Sequence, residues 1–230
     1  MRKVPVTVGI NAGDNYIVKA TANNGKPNNV LYSEILTVWR RLWVELDELK
    51  LSDGTATGLP LIDGFVKAEL ERACIETKPF SPNTTTWATG PYQLPNFWGS
   101  VHTAIVNACR NSPQPSATFW TIHMIGAFTK ESGTMGTWYE DTNTIFMFDE
   151  QTRLDVEEWN NNYPDSLVSL ADFKRLNSLH EIGHAFGLGD APFAGGIMDI
   201  ELDYYDSLLP VNKQLKLTEI RTIQSQPVPR

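Results

Sequence analysis

The segment His180-Glu181-Ile182-Gly183-His184 constrains this chain more than any other part of it. It lies in a stretch whose apolar residues Phe173, Leu176, Leu179, Ile182 and Phe186 recur mostly at three- and four-residue spacing, which reads as a helix with one face toward a core. Ser169 and Asp172 stand at capping-box spacing at its start, with Asp in place of the usual Glu or Gln, and Gly187 and Gly189 supply its stop. Side chains four apart on an α-helix leave nearly the same face about 6 Å apart along the axis, so His180 and His184 can both reach one tetrahedral cation, and zinc is the natural occupant. Glu181 is rotated by about 100° from His180, which sets its carboxylate beside such a cation rather than on it, within reach of a water. That is the geometry of a general base. By chance, H-E-x-x-H arises in roughly four of a thousand chains of this composition, and two surface histidines on a helix are the bland alternative. Gly187 follows His184 by three residues and can take a positive φ to end the helix, and Asp190 falls three further, where a reversing chain could bring a third ligand.

Charge narrows the partners. The 27 Asp and Glu outnumber the 19 Lys and Arg, the formal net charge is −8, and no basic cluster is longer than Arg40-Arg41. A nucleic-acid backbone or an anionic membrane surface is therefore a poor main partner. With 230 residues, 41% of them hydrophobic and 20% charged, the chain should fold as one substantial domain, alone or with a small appendage. No apolar run approaches 18 residues, so no membrane span is expected, and the start at Met1-Arg2-Lys3-Val4-Pro5 lacks the apolar stretch of a secretory signal. The chain is expected to be a monomer or a part of a larger protein, with its compartment left open. Cys74 and Cys109 are either one disulfide or two buried thiols.

Alternation at Val4, Val6, Val8 and Ile10 and again over residues 16–20, on either side of a breaker-rich turn at 11–15, predicts two strands, with a loop or linker at 23–29. Residues 35–49 and 65–75 fit helix and strand alike. Residues 98–110 read as a helix, 118–128 as a central strand, 134–139 and 144–148 as two further strands in a hairpin or as close neighbours, and 218–224 as a short helix.

With its helix pair, base, turn glycine and Asp190, the chain resembles the metzincins, zinc endopeptidases with the pattern H-E-x-x-H-x-x-G-x-x-H and a downstream Met-turn. His180, Glu181, His184 and Gly187 match that pattern, and Asp190 stands where the third histidine is usual, as it does in the snapalysins. Carboxylate oxygen is an acceptable zinc donor. The resemblance implies that Met198, within Gly195-Gly196-Ile197-Met198-Asp199, forms the Met-turn beneath the metal, and that a tyrosine after it contacts the zinc or the oxyanion; Tyr204 and Tyr205 come later than that pattern has it. It further implies a mixed α/β (α+β) fold with a twisted, mostly parallel sheet, a backing helix and the active-site helix. In that arrangement residues 1–30 are an N-terminal β element or the remnant of a preceding domain, and 31–230 are the catalytic domain. The upper subdomain would run to about residue 187 and the lower one over 188–230, with the substrate between them, pairing with an edge strand at residues 134–139. The implied function is hydrolysis of peptide bonds in a protein or peptide substrate through a metal-activated water, and the implied location is secreted or extracellular.

The motifs cover only residues 180–199, and two other functions stay open: a zinc hydrolase of a non-peptide amide or ester, and a non-catalytic zincin-fold binding module. Glu181 counts against the second, because a structural zinc site has no use for a base. His102 and His123 each stand alone on their elements and read as satisfied, partly buried imidazoles. Asp199, Glu201, Asp203 and Asp206 place four acids in eight residues, but Pro210 at the twelfth position and the lack of glycine at the sixth exclude an EF-hand. A solvated acidic loop is the better reading there, with calcium the lesser one.

Overall fold

The computed structural model describes residues 13–21, 30–50, 53–80, 85–86, 100–110, 122–127, 134–190, 196–199 and 213–226. The first two strands, β1 (Gly13–Thr21) and β2 (Val30–Val38), form an antiparallel pair of their own, in register from Gly13↔Val38 to Thr21↔Val30. Gly13, Asp14 and Asn15, expected in a turn, instead begin β1, and an irregularity in register between Gly13 and Tyr16 accommodates these breakers within the strand. The alternation at residues 4–10 and the loop at 23–29 lie outside the described residues.

The main sheet is built from β3 (Arg40–Lys50), β4 (Ile75–Phe80), β6 (Ile122–Ala127), β7 (Gly136–Tyr139) and β8 (Thr144–Phe148), in the order β4-β3-β6-β8-β7, with the short β5 (Thr85–Thr86) pairing the far end of β3. β4, β3, β6 and β8 run parallel, and β7 is antiparallel to β8 at the edge. This is the mixed α/β architecture with a mostly parallel sheet that the chain was expected to adopt. Residues 118–128 were expected to hold a central strand, and β6 is central, flanked by β3 and β8. Both β6 and β8 are buried along their whole length, as parallel strands covered on two faces must be.

Among the described residues five α-helices accompany the sheet: α1 (Gly64–Arg72), α2 (Ser100–Arg110), α3 (Asp149–Asn162), α4 (Leu170–Ala185) and α5 (Leu217–Ser225). The ambiguity at 65–75 resolves as α1, capped by the Asp63 side chain accepting from the Phe65 and Val66 amides, and the ambiguity at 35–49 resolves as strand. On one face of the sheet, Leu42, Val44, Met124 and Ile145 pack with Val66 and Leu70 of α1, Leu179 and Ile182 of α4, and Ile220 and Ile223 of α5. On the other, Leu49, Ile125, Ala127, Phe146 and Phe148 pack with Ile105, Val106 and Cys109 of α2. Cys74 belongs to the first core and Cys109 to the second, so the sheet separates them, and both are thiols.

Helix α4 carries the expected capping box: the Ser169 hydroxyl accepts from the Asp172 amide, and the Asp172 carboxylate accepts from the Ser169 amide. No helix among the described residues is long and apolar enough to cross a membrane. Leu179 is fully buried at the centre of the contact between α4 and the sheet. Leu179→Ala should therefore lower the unfolding free energy by about 2–5 kcal/mol in urea titration; a loss under about 1 kcal/mol would mean that α4 does not depend on this packing.

Candidate metal centre

The end of α4 builds the site from backbone outward. After Phe186 the chain reverses through Gly187, whose φ of +78° is the left-handed conformation that glycine adopts without a Cβ clash. The Gly187 amide donates to the His184 carbonyl at 2.8 Å and the Leu188 amide to the Gly183 carbonyl at 3.0 Å, the paired bonds of a Schellman motif. That reversal returns the Leu188 carbonyl to His184, whose Nδ1 donates to it at 2.8 Å. His180 Nδ1 donates to the Ile197 carbonyl at 3.0 Å. A carbonyl can only accept, so each of these bonds fixes the proton on Nδ1 and leaves Nε2 as the bare ring nitrogen. Burial, the largest influence on it, holds His180 below the ordinary imidazole pKa and so in its neutral form.

The two Nε2 atoms lie 3.0 Å apart, and Asp190 Oδ1 is 3.4 Å from the first and 3.3 Å from the second. Two lone pairs and a carboxylate pointed at one another are repulsive unless something positive lies among them. Ligand atoms at the usual zinc distances in a tetrahedral shell stand roughly 3.3–3.4 Å apart, so the three donors match one face of such a shell. The hydrogen bonds at Nδ1 are the outer-shell contacts that orient metal-bound histidines. His180, His184 and Asp190 therefore suit zinc in donor type, spacing and tautomer.

The carboxylate of Glu181 lies within 4.8 Å of the imidazole donors and is almost completely buried, and its Oε2 has no hydrogen-bond partner among the described residues. Burial, with the Asp190 carboxylate adding to it, pushes this carboxyl up to about 8. A cation in the adjoining shell acts in the opposite direction and favours the ionised form. Glu181 is pressed against the edge strand: a Cβ on Gly136 of β7 would stand 2.7 Å from its Oε1. The Phe148 amide donates to the Met135 carbonyl, and in antiparallel alternation Thr137 also faces β8 with its hydrogen-bonding groups, leaving those of Gly136 and Trp138 directed away from β8. Among the described residues no strand pairs with that outer side of β7.

Beneath the imidazoles, the thioether of Met198 reaches the helix at Gly183, where a Cβ would stand 2.5 Å from its sulfur. The Met198 amide donates to Glu219 Oε1 at 3.1 Å, and Glu219 Oε2 accepts from the Lys216 amide at 2.6 Å, which ties this turn to the start of α5. Asp199 is buried and lies 3.6 Å from Lys213. Gly136, Gly183 and Glu219 do not stand out in the sequence; the one available signal was Gly183, a helix-interior glycine at a cost of roughly 1 kcal/mol against alanine. Glu201, Asp203, Tyr204, Tyr205 and Asp206 lie outside the described residues, as does the side chain of His102. His123 is distant from this centre in the fold, on the opposite face of the sheet beside Glu45.

No protein-family model matches the chain, and no curated protein matches it. Among solved structures it is similar to a zinc-dependent peptidase from Methanocorpusculum labreanum, with a TM-score of 0.47 at 16% identity over 78% of this chain and 99% of that one. It is also similar to archaemetzincin from Methanopyrus kandleri, with a TM-score of 0.39 at 11% identity over 80% of this chain and 94% of that one.

His184→Ala removes one donor and the outer-shell bond to Leu188, and should abolish tight zinc binding at this centre and lower the melting temperature of the zinc-loaded protein. Asp190→Ala should weaken zinc binding while leaving the metal-free protein as stable as before, since the Asp190 side chain is about half exposed. Calorimetric zinc titration measures both; wild-type affinity in either variant would remove that residue from the shell.

Proposed function

We propose that this chain is a zinc-dependent endopeptidase. The observation that carries this reading is the convergence of His180 Nε2, His184 Nε2 and Asp190 Oδ1 within 3.0–3.4 Å of one another, beside a buried Glu181 carboxylate whose Oε2 has no hydrogen-bond partner among the described residues. A structural zinc site closes its fourth position with another protein ligand, whereas three donors and a neighbouring base are the composition of a hydrolytic site.

His180, His184 and Asp190 would hold the zinc, which when bound supplies Lewis acidity and lowers the pKa of water from 15.7 toward about 7. Glu181 takes the proton of the attacking water and delivers it to the leaving amine; its burial against Gly136 fixes where that exchange happens. Gly187 and the Leu188 carbonyl orient His184, and Met198, packed on Gly183, supports the helix from below. The outward-facing backbone of β7, beside Glu181, suits an extended peptide that adds to the sheet edge by main-chain pairing. This favours a peptide over a small amide or ester held in a closed pocket. A contact of Tyr204 or Tyr205 with the oxyanion is part of the same proposal and rests on the metzincin resemblance.

Glu181→Gln keeps the volume and removes the base, so zinc should stay bound while cleavage of a fluorogenic peptide library falls by at least ~10²-fold. Undiminished cleavage would take Glu181 out of the mechanism. Gly136→Ala should also retain zinc and lower kcat, on the order of 10²-fold if the carboxylate moves by about 1 Å, because its new methyl group occupies the place of the Glu181 carboxylate. An unchanged kcat with this variant would show that Glu181 works from another position.

A further inference from the structure

We infer that Glu45, Asp47 and His123 form a second, interior site for a first-row divalent cation, on the face of the sheet opposite His180 and His184. The placement follows from the register of β3 and β6. Glu45 and His123 are paired residues across these two parallel strands, and Asp47 is two residues along β3 from Glu45, on the same face. Val44 and Leu46 point the other way, into the core shared with α4, so the sheet itself separates the two centres. One donor atom from each of the three residues lies within 4.8 Å of the others, and Glu45 Oε2 stands 2.9 Å from His123 Nδ1.

Burial makes this cluster hard to explain as ordinary core. Glu45 and Asp47 are both fully inaccessible, in the middle of the sheet where β6 and β8 carry almost only apolar side chains. Among the described residues both carboxylate oxygens of Asp47 are without a hydrogen-bond partner. An isolated buried carboxylate of this kind is costly, and two side by side are costlier. Even a protonated His123 would leave the trio with a net negative charge. A divalent cation with a neutral imidazole brings it to zero and gives the Asp47 oxygens something to bind.

The donor set restricts which cation. Two carboxylates with one imidazole suit a borderline metal such as Zn2+, Mn2+, Fe2+ or Co2+, whereas Ca2+ takes six to eight oxygens and no nitrogen. The competing occupant is a proton: burial, with Glu45 adding to it, pushes Asp47 up to about 8, so without a cation Asp47 is protonated at neutral pH. Because Glu45 and Asp47 are fully inaccessible, a cation would enter as the chain folds.

The test is metal stoichiometry after refolding chelator-treated protein in Co2+ or Zn2+, followed by exhaustive dialysis and elemental mass spectrometry. Four proteins separate the two centres. Wild type should hold two equivalents per chain, the variant with His180→Ala and His184→Ala one, Asp47→Asn one, and the triple variant none. One equivalent in wild type with none in the double histidine variant would overturn the proposal and leave the proton as occupant. Two equivalents in Asp47→Asn would overturn it by placing the second ion elsewhere. As a readout independent of dialysis, the melting temperature of the double histidine variant should rise by several degrees when it is refolded with Zn2+, and Asp47→Asn in that background should erase the rise. A rise that survives Asp47→Asn, or no rise at all, would count against the site. Failure of the proposed peptidase activity leaves these stoichiometries untouched, so the two proposals stand or fall separately.

Discussion

Two imidazole nitrogens whose protons are both committed elsewhere cannot hydrogen-bond to each other, yet His180 and His184 present them 3.0 Å apart. Each Nδ1 donates to a backbone carbonyl, so each Nε2 offers a lone pair, and the Asp190 oxygen adds negative charge to the same point. Left alone this arrangement is repulsive, and a cation converts the repulsion into coordination. Much of what surrounds the centre holds that geometry in place.

The supports come from four separate parts of the chain. The helix exit at Gly187 turns the backbone so that Leu188 can orient His184, and within two further residues Asp190 is beside both imidazoles. The turn at Ile197 and Met198 supplies the carbonyl for His180 and the sulfur that packs on Gly183. Glu219 on α5 holds that turn through the Met198 amide, so α5 fixes the position of the turn that supports His180. β7 meets Glu181 at Gly136, where a Cβ would collide with its carboxylate. The edge strand, Glu181 and the two imidazoles are thereby held next to one another.

The residues proposed as metal ligands and base were legible in the sequence because their chemistry is local: the histidines, Glu181, the turn glycine and Asp190 all fall within eleven residues, and most of their relation follows from helix geometry. The capping box at Ser169 and the buried runs of β6 and β8 were legible for the same reason. Helix α3 was not, because only Gln151, Thr152 and Val156 are buried on it and a single aliphatic residue makes no periodic pattern. Residues 35–49 satisfied both helical and strand spacing, and pairing of β3 with a parallel neighbour on each side decided the matter. At 65–75 the deciding signal was present in Asp63, an N-cap two and three residues ahead of the amides it accepts from. Gly136 and the trio of Glu45, Asp47 and His123 depend on contacts between distant elements, which no local spacing encodes.

Anomalous scattering at the zinc absorption edge, from crystals of the zinc-loaded protein, tests whether His180, His184 and Asp190 share one zinc ion. An anomalous peak is expected about 2.0–2.2 Å from His180 Nε2, His184 Nε2 and Asp190 Oδ1, with Glu181 beside it and not bound to it. A peak without Asp190 in contact, or no peak between the two imidazoles, would contradict that assignment.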